Sequence, residues 1–277
     1  MPDKYAVFGN PVAHSRSPQI HAAFAAQTGE AIEYRRILVP EGKFRETARQ
    51  FLSSGGRGMN ITVPCKEDAF AFADQLSPRA RRAGAVNTLK VDDDATVLGD
   101  NTDGRGLLTD LTDNLRWLVT GQRILLLGAG GAARGVLEPL LAQAPKALVI
   151  ANRTERKAQL LARSFSDLGN IRATDYADLV REQPFDLVIN ATSAGLSGKL
   201  PPLPDSIIGG NSCCYDMLYG AKPSIFMDWA GQLGAKQLAD GLGMLVEQAA
   251  ESFFLWRGKR PHTKPVIEAM RAELLGN

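Results

Sequence analysis

The sequence predicts an α/β protein in two units, the second a doubly wound parallel sheet. Three observations carry this. Short apolar runs alternate with helix-like stretches along nearly the whole chain, the pattern of strands and helices in layers. A glycine turn, Gly128-Ala-Gly-Gly-Ala-Ala-Arg134, sits between an apolar run and a helical stretch. The 277 residues are enough for two domains of ordinary size.

Tyr5-Ala-Val-Phe-Gly9 is a short apolar run ended by a Gly-Asn-Pro turn, a first strand. Ser17-Pro18 opens a helix to about Thr28, with Ser17 as the expected N-cap and Pro18 suited to the first helical position. Glu33 to Val39 reads as a second strand, Glu41 to about Leu52 as an amphipathic helix, and Gly58 to Val63 as a third strand stopped by Pro64. Ala85–Val91 and Ala95–Gly99 form a predicted hairpin around three aspartates. These elements make a mostly parallel α/β layer. Residues 102 to about 118 are predicted helical and carry the chain into the second unit. There, strands are expected at Arg123–Gly128, Ala147–Ala151, Phe185–Asn190 and Ser212–Asp216, with helices from about Gly131 and Thr154 between them. Ser197 to Pro204 is Pro-rich and reads as loop. Two helices, about Met244–Trp256 and Pro265–Leu275, add no strand and are expected to return to the first unit. The predicted units are therefore residues 1–101 completed by 242–277, and residues 102–241.

The chain is 44% hydrophobic and 22% charged with a formal net charge of +2, a globular composition that gives no reason to expect nucleic acid or an anionic membrane as partner. No apolar run approaches the ~20 residues of a membrane helix. Three cysteines, two of them adjacent, argue against a disulfide framework and for a reduced, cytoplasmic setting. Three histidines without ligand-like spacing predict no metal site.

The turn Gly128-x-Gly130-x-x-Ala133, in its strand–turn–helix context, is a dinucleotide fingerprint. Its glycines let backbone approach a pyrophosphate, and the helix start supplies amide donors. The expected second unit is thus Rossmann-type. NAD-selective chains place an acid after the next strand. This one places Asn152, Arg153 and Thr154 there, with Lys157 one turn on. A guanidinium suits a 2′-phosphate, so NADP is the predicted cofactor.

In the first unit, polar residues gather near strand ends. They are Ser15 and Ser17 after the first strand, Asn60 and Thr62 in the third, Lys66 beyond it, and Asn87 in an otherwise apolar strand. Ligands of open α/β sheets bind outside the carboxyl ends of strands. Hydroxyls and amides clustered there suit a small polyhydroxylated substrate. Each alone has an ordinary reading: Ser17 as cap, Thr62 as strand former, Lys66 as solvated lysine, Asp103 as helix cap. Their joint arrangement, with a Lys and an Asp upstream of a dinucleotide turn, points to carbonyl–alcohol redox chemistry.

With these residues assembled, the chain resembles the shikimate dehydrogenase family nearly end to end. The resemblance rests on Gly9-Asn-Pro with His14-Ser-Arg-Ser-Pro18, Asn60-Ile-Thr-Val-Pro-Cys-Lys66, Gly84-Ala-Val-Asn-Thr88, Gly99-Asp-Asn-Thr-Asp-Gly104 and the glycine turn. Asn152-Arg-Thr154, Asn190-Ala-Thr-Ser-Ala-Gly195, Tyr215-Asp-Met-Leu-Tyr219 and the run from Asp240 to Ala250 complete it. It implies NADPH-dependent reduction of 3-dehydroshikimate to shikimate, on the route to aromatic amino acids, by a monomer or homodimer. It implies that Ser15, Ser17, Asn60, Thr62, Asn87, Tyr219 and Gln248 hold the substrate and that Lys66 and Asp103 are the catalytic pair. Gly128, Ala129, Gly130, Gly131 and Ala132, with Asn152, Arg153, Thr154 and Lys157, would hold NADP, and Met217 and Gly241 would lie near the nicotinamide. The Ser-x-Ser pair resembles the shikimate-specific branch more than one that also uses quinate. The alternative is a quinate/shikimate dehydrogenase of broader substrate and cofactor use. A non-catalytic NADP sensor on the same fold would be expected to have lost Lys66 or Asp103, and both are present. Cys65 stands where the family often has His or Phe. Beside Lys66 it is expected to be sensitive to thiol reagents.

Overall fold

A computed structural model describes residues 2–276. The chain divides into two compact units. One comprises the chain to Gly106 with Val246–Met270; the other comprises Leu107–Leu245 and the stretch from Arg271. The seams fall a few residues beyond the expected ones, inside two helices rather than at their starts. The C-terminal stretch belongs to the second unit, where Arg271 makes an ion pair with Asp240.

The first unit holds β1 (Asp3–Gly9), α1 (Ser17–Thr28), β2 (Ile32–Leu38), α2 (Phe44–Ser53), β3 (Gly56–Ile61), α3 (Lys66–Phe72), β4 (Gln75–Leu76), α4 (Pro78–Ala83), β5 (Thr88–Val91) and β6 (Val97–Asp100). Its sheet runs β2-β1-β3-β5-β6-β4. The β1 pairs with β2 and β3 are parallel, and β3-β5-β6 is an antiparallel meander. Phe8, Met59, Ile61 and Leu89 of the sheet pack with Phe44, Ala48 and Phe51 of α2. The sequence reading missed α3, α4 and β4. The first two are short and β4 has only two residues, too little for a periodic signal. Ser17 is not the N-cap of α1: Arg16 holds that position and Ser17 is already helical. The Ser17 N–H instead donates to the Ser15 hydroxyl, 3.3 Å away.

The second unit begins within α5 (Asp103–Thr109), which continues as a π-helical turn over Asp110–Asn114, short of the expected end near Leu118. Then follow β7 (Arg123–Leu127), α6 (Gly131–Leu141), β8 (Ala147–Ala151), α7 (Glu155–Ser164), β9 (Ile171–Thr174), β10 (Leu187–Asn190), β11 (Cys213–Asp216), α8 (Ile225–Gln232), β12 (Gln237–Asp240), α9 (Leu242–Arg257) and α10 (Lys264–Leu275). The sheet is wholly parallel, in the order β12-β11-β10-β7-β8-β9. Strand residues alternate between two cores. Ile124, Leu126, Leu148 and Ile150 face α6 and α7, whereas Leu125, Leu127, Val149 and Val188 face α8. That double burial explains the near-continuous apolar strands. Strand order reverses between β7 and β10, the switch point at which open α/β sheets bind ligands, and the glycine turn follows β7 there. The edge strands β9 and β12, with α8, escaped the sequence reading.

Helix α9 returns the chain to the first unit. Trp256 stacks on Tyr5 at 4.6 Å between centroids and donates from its indole N–H to the Leu89 carbonyl at 2.9 Å. At the start of α9, within the second unit, a Cβ on Gly243 would lie 1.9 Å from Asp110 Oδ1. Asp110 cannot swing away, because Asn114 Nδ2 (2.9 Å) and the Tyr215 hydroxyl (2.7 Å) hold both its oxygens. Gly243→Ala is therefore expected to cost about 1–3 kcal/mol. Scanning calorimetry should find the melting temperature lowered by several degrees, at roughly 2–4 °C per kcal/mol. An unchanged melting temperature would refute the packing account.

Candidate active site

Lys66 is the first residue of α3, delivered by the Thr62–Cys65 turn that ends β3. Its side chain is 18% exposed and makes an ion pair with Asp103, 9% exposed, at the start of α5. The other carboxylate oxygen, Asp103 Oδ1, accepts from Asn87 Nδ2 at 2.8 Å. Asn87 Nδ2 also donates to Thr102 Oγ1 (2.9 Å) and Gln248 Oε1 (3.3 Å). Asn87 Oδ1 accepts from the Thr102 backbone N–H (2.8 Å) and the Thr88 hydroxyl (3.0 Å). Both oxygens of Asp103 and both polar atoms of Asn87 thus have partners, as burial requires.

Asn60 is 6% exposed, and its amide is engaged inside the protein. Its Oδ1 accepts from the Tyr34 hydroxyl (2.7 Å) and faces His21 Nε2 (3.0 Å), while Nδ2 donates to Ser252 Oγ (2.9 Å) and Thr88 Oγ1 (3.3 Å). Like Asn87, it is tied fully into the fold. Tyr34 also hydrogen-bonds Ser17, and Ser15 Oγ donates to Ser17 Oγ at 3.1 Å. The Arg36 guanidinium grips the Ser15 carbonyl with two hydrogen bonds, of 2.9 and 2.7 Å. Burial pushes the His21 imidazole down to about 3, so it is neutral near pH 7. His21 carried one sequence signal: it lies four residues after Ser17, on the same face of α1.

A second device steadies the approach to Asp103. Asp100 ends β6 and accepts from Arg79 Nε (2.7 Å) and Nη2 (2.5 Å), Ser77 Oγ (2.5 Å) and the Asn101 N–H (2.8 Å). Arg79 reaches Glu251 of α9 as well. Burial alone would raise the Asp100 carboxyl. The guanidinium and the hydrogen bonds outweigh it and hold the group below the ordinary carboxylate value. Neither Arg79 nor Asp100 was singled out from sequence, since nothing local marks a pair so distant along the chain.

The expectation for Cys65 is corrected. Its thiol is 3% exposed, packed in the first unit's core, and burial with nearby Asp68 pushes its pKa up rather than down. It is an inert core thiol.

In the second unit, Gly128 takes φ +106° and donates its N–H to the Ala151 carbonyl at 2.8 Å. A Cβ there would press on the Ala191 carbonyl at 3.2 Å, so both conformation and space favour glycine. Cβ atoms at Gly130 and Gly131 would meet nothing within 4 Å, which leaves open room before the N-terminus of α6. Ala129 and Ala132 flank them, half-buried. At the end of β8, Asn152 Nδ2 braces the turn on the Thr154 carbonyl at 2.9 Å, and Arg153, Thr154 and Lys157 are exposed. A turn with room for a pyrophosphate and exposed cations where a ribose acid is absent fit NADP. Met217 and Gly241 meet, since a Cβ on Gly241 would lie 2.2 Å from the Met217 carbonyl. Tyr219 follows β11 in this same unit; the other expected substrate residues lie in the first.

Three family models match the chain. "Shikimate dehydrogenase substrate binding domain" covers residues 7–89, "Shikimate / quinate 5-dehydrogenase" 112–197, and "Shikimate 5'-dehydrogenase C-terminal domain" 241–271. A Cellvibrio japonicus protein named Shikimate dehydrogenase (NADP(+)) is 56% identical, over 99% of this chain and 99% of its own length. Among solved structures, an Ael1 enzyme from Pseudomonas putida is 46% identical with a TM-score of 0.91, covering 96% of this chain and 97% of its own. A shikimate 5-dehydrogenase from Thermus thermophilus, in complex with NADP(H) and shikimate, is 33% identical with a TM-score of 0.86, covering 98% and 100%.

The Asp100 anchor predicts a pH-dependent stability. A carboxylate whose folded pKa is depressed stabilises above its unfolded value, about 3.9, and that stabilisation is lost as pH falls through the folded value. Asp100→Asn should therefore destabilise by about 3 kcal/mol near neutrality. The deficit should shrink below about pH 4. Urea unfolding of both proteins across pH measures it; a deficit independent of pH would contradict the ion-pair account.

Proposed function

The chain belongs to the shikimate dehydrogenase family, and from that premise we propose that it reduces 3-dehydroshikimate to shikimate with NADPH, reversibly. The observation that carries the reading is the Lys66–Asp103 ion pair, set beside Asn87 and Gln248 at the sheet end of the first unit. The chemistry a bound NADPH supplies is hydride delivery to the C3 carbonyl. Gly128–Ala132 would receive its pyrophosphate and Asn152–Lys157 its 2′-phosphate, with Met217 and Gly241 toward the nicotinamide end.

The chain's own residues manage the proton. Lys66 Nζ donates it to the carbonyl oxygen as that becomes alkoxide, and takes it back in the reverse direction. Asp103 fixes the direction of Lys66 Nζ. Ser15, Ser17, Thr62, Asn87 and Gln248 supply donors and acceptors to the carboxylate and ring hydroxyls, whose desolvation would otherwise go uncompensated. Asn60 supports them from behind. The three free cysteines fit a reducing, cytoplasmic setting, and we read the assembly as monomer or homodimer.

The direct test is growth of the NADPH absorbance band when shikimate and NADP are mixed with the enzyme; no growth would overturn the reading. Comparable rates on quinate, or with NAD, would favour the broader alternative. Lys66→Ala should lower kcat by about 10²–10⁴-fold with substrate affinity largely kept. Near-normal turnover would remove Lys66 from its role. Arg153→Ala should raise the Michaelis constant for NADPH about 10- to 100-fold, the equivalent of one charge-assisted hydrogen bond. The constant for NADH should change little. Equal effects on both cofactors would mean that Arg153 does not read the 2′-phosphate.

A further inference from the structure

Asn60 is the hub of the first unit's polar network, and its direction is set by side chains. Of its four partners, Tyr34, Ser252 and Thr88 bring hydroxyls that can either donate or accept. Asn87 differs, because the Thr102 backbone N–H fixes its Oδ1 as an acceptor. His21 is the one partner of Asn60 whose polarity is set by a ring tautomer rather than by rotation of a hydroxyl. The ring is fully buried, stacked on Tyr34 (4.4 Å) and surrounded by Phe24, Phe253 and Trp256, with no charged side chain among these contacts. Its Nδ1 has no hydrogen-bond partner. A proton on Nδ1 would bury an orphaned N–H. A proton on Nε2 leaves only a bare lone pair, and buried donors are left orphaned less often than acceptors.

We propose that His21 sets the polarity of the substrate-side network, its Nε2–H holding Asn60 Oδ1 as an acceptor so that Asn60 Nδ2 points at Ser252 and Thr88. The consequence reaches the catalytic pair. Thr88 receives a hydrogen from Asn60 and has its own for Asn87 Oδ1, 3.0 Å away, where it joins the Thr102 N–H that turns Asn87 Nδ2 toward Asp103. With Asn60 flipped, its oxygen would compete for the hydrogens of Ser252 and Thr88, and Asn87 would lose a donor. His21 touches neither Lys66 nor Asp103 and acts through others: it is a positioning residue. The inference rests on the reading of Lys66 and Asp103 as the proton-handling pair.

Two measurements on the full-length enzyme test it. Nitrogen-15 NMR of the histidine rings should find His21 as the neutral Nε2–H tautomer from pH 5 to 9. A proton on Nδ1, or an imidazolium, would overturn the proposal without any variant. His21→Phe keeps the aromatic stack and removes the donor. It should lower kcat/KM for shikimate about tenfold, the worth of one hydrogen bond at the upper end of its net range. The KM for NADP should stay within twofold. His21→Gln, which retains an N–H, should recover most of the loss. A folded His21→Phe enzyme with unchanged kcat/KM, or equal losses in both variants, would assign His21 to packing alone and sink the idea. Lys66→Ala assayed alongside separates the two readings: its retained turnover would break the catalytic-pair reading, whereas its collapse beside a fully active His21→Phe breaks only this one.

Discussion

An ammonium and a carboxylate, brought together where little water reaches, impose the constraint that organises the first unit. A buried ion pair is tolerable only if its remaining lone pairs and protons also find partners. Asp103 has one oxygen on Lys66, so the other needs a donor, and Asn87 supplies it. Asn87 then needs its own carbonyl satisfied, and the Thr102 N–H and the Thr88 hydroxyl do so. The requirement spreads outward to Asn60, Ser252 and Gln248, until it ends on the core histidine and on backbone groups of the α5 turn. The Arg79–Asp100 pair is the same logic one step removed, since it fixes the chain immediately before Asn101-Thr102-Asp103.

The second unit meets its constraints with backbone rather than charge. A parallel sheet buried on both faces leaves side chains little to do except pack, and Leu125 and Leu126 serve opposite cores from neighbouring positions. Function is left to the loops at the strand ends. There, Gly128 turns the chain against Ala191, Gly130 and Gly131 leave room before a helix start, and Gly241 admits the Met217 carbonyl. A methyl group would collide at Gly128 and Gly241, and at Gly130 and Gly131 it would enter open space.

Much of this was legible in the sequence, for identifiable reasons. The strand Ala147–Ala151 and the start of α6 at Gly131 follow from apolar runs and glycine punctuation, which are local signals. The polar residues of the site stood out because amides and hydroxyls interrupt otherwise apolar strands. Edge strands such as β4, β9 and β12 were missed, being two to four residues long and only partly buried. The helix start at Ser17 was placed correctly, but its capping was not, because Arg16 takes the cap geometry and the Ser15 hydroxyl takes the Ser17 N–H. Cys65 was misread because adjacency to Lys66 in sequence said nothing of the core into which the thiol turns. Arg79 with Asp100, and His21 with Asn60, join positions far apart along the chain, and only the fold brings them together.

The central claim is that Lys66 and Asp103 work as one unit in moving the proton. A double-mutant cycle on kcat, with Lys66→Ala, Asp103→Asn and the double variant in the direction of shikimate oxidation, tests it most directly. If the pair is a unit, the double variant is about as impaired as the worse single one. Losses that multiply, each residue contributing independently of the other, would contradict it.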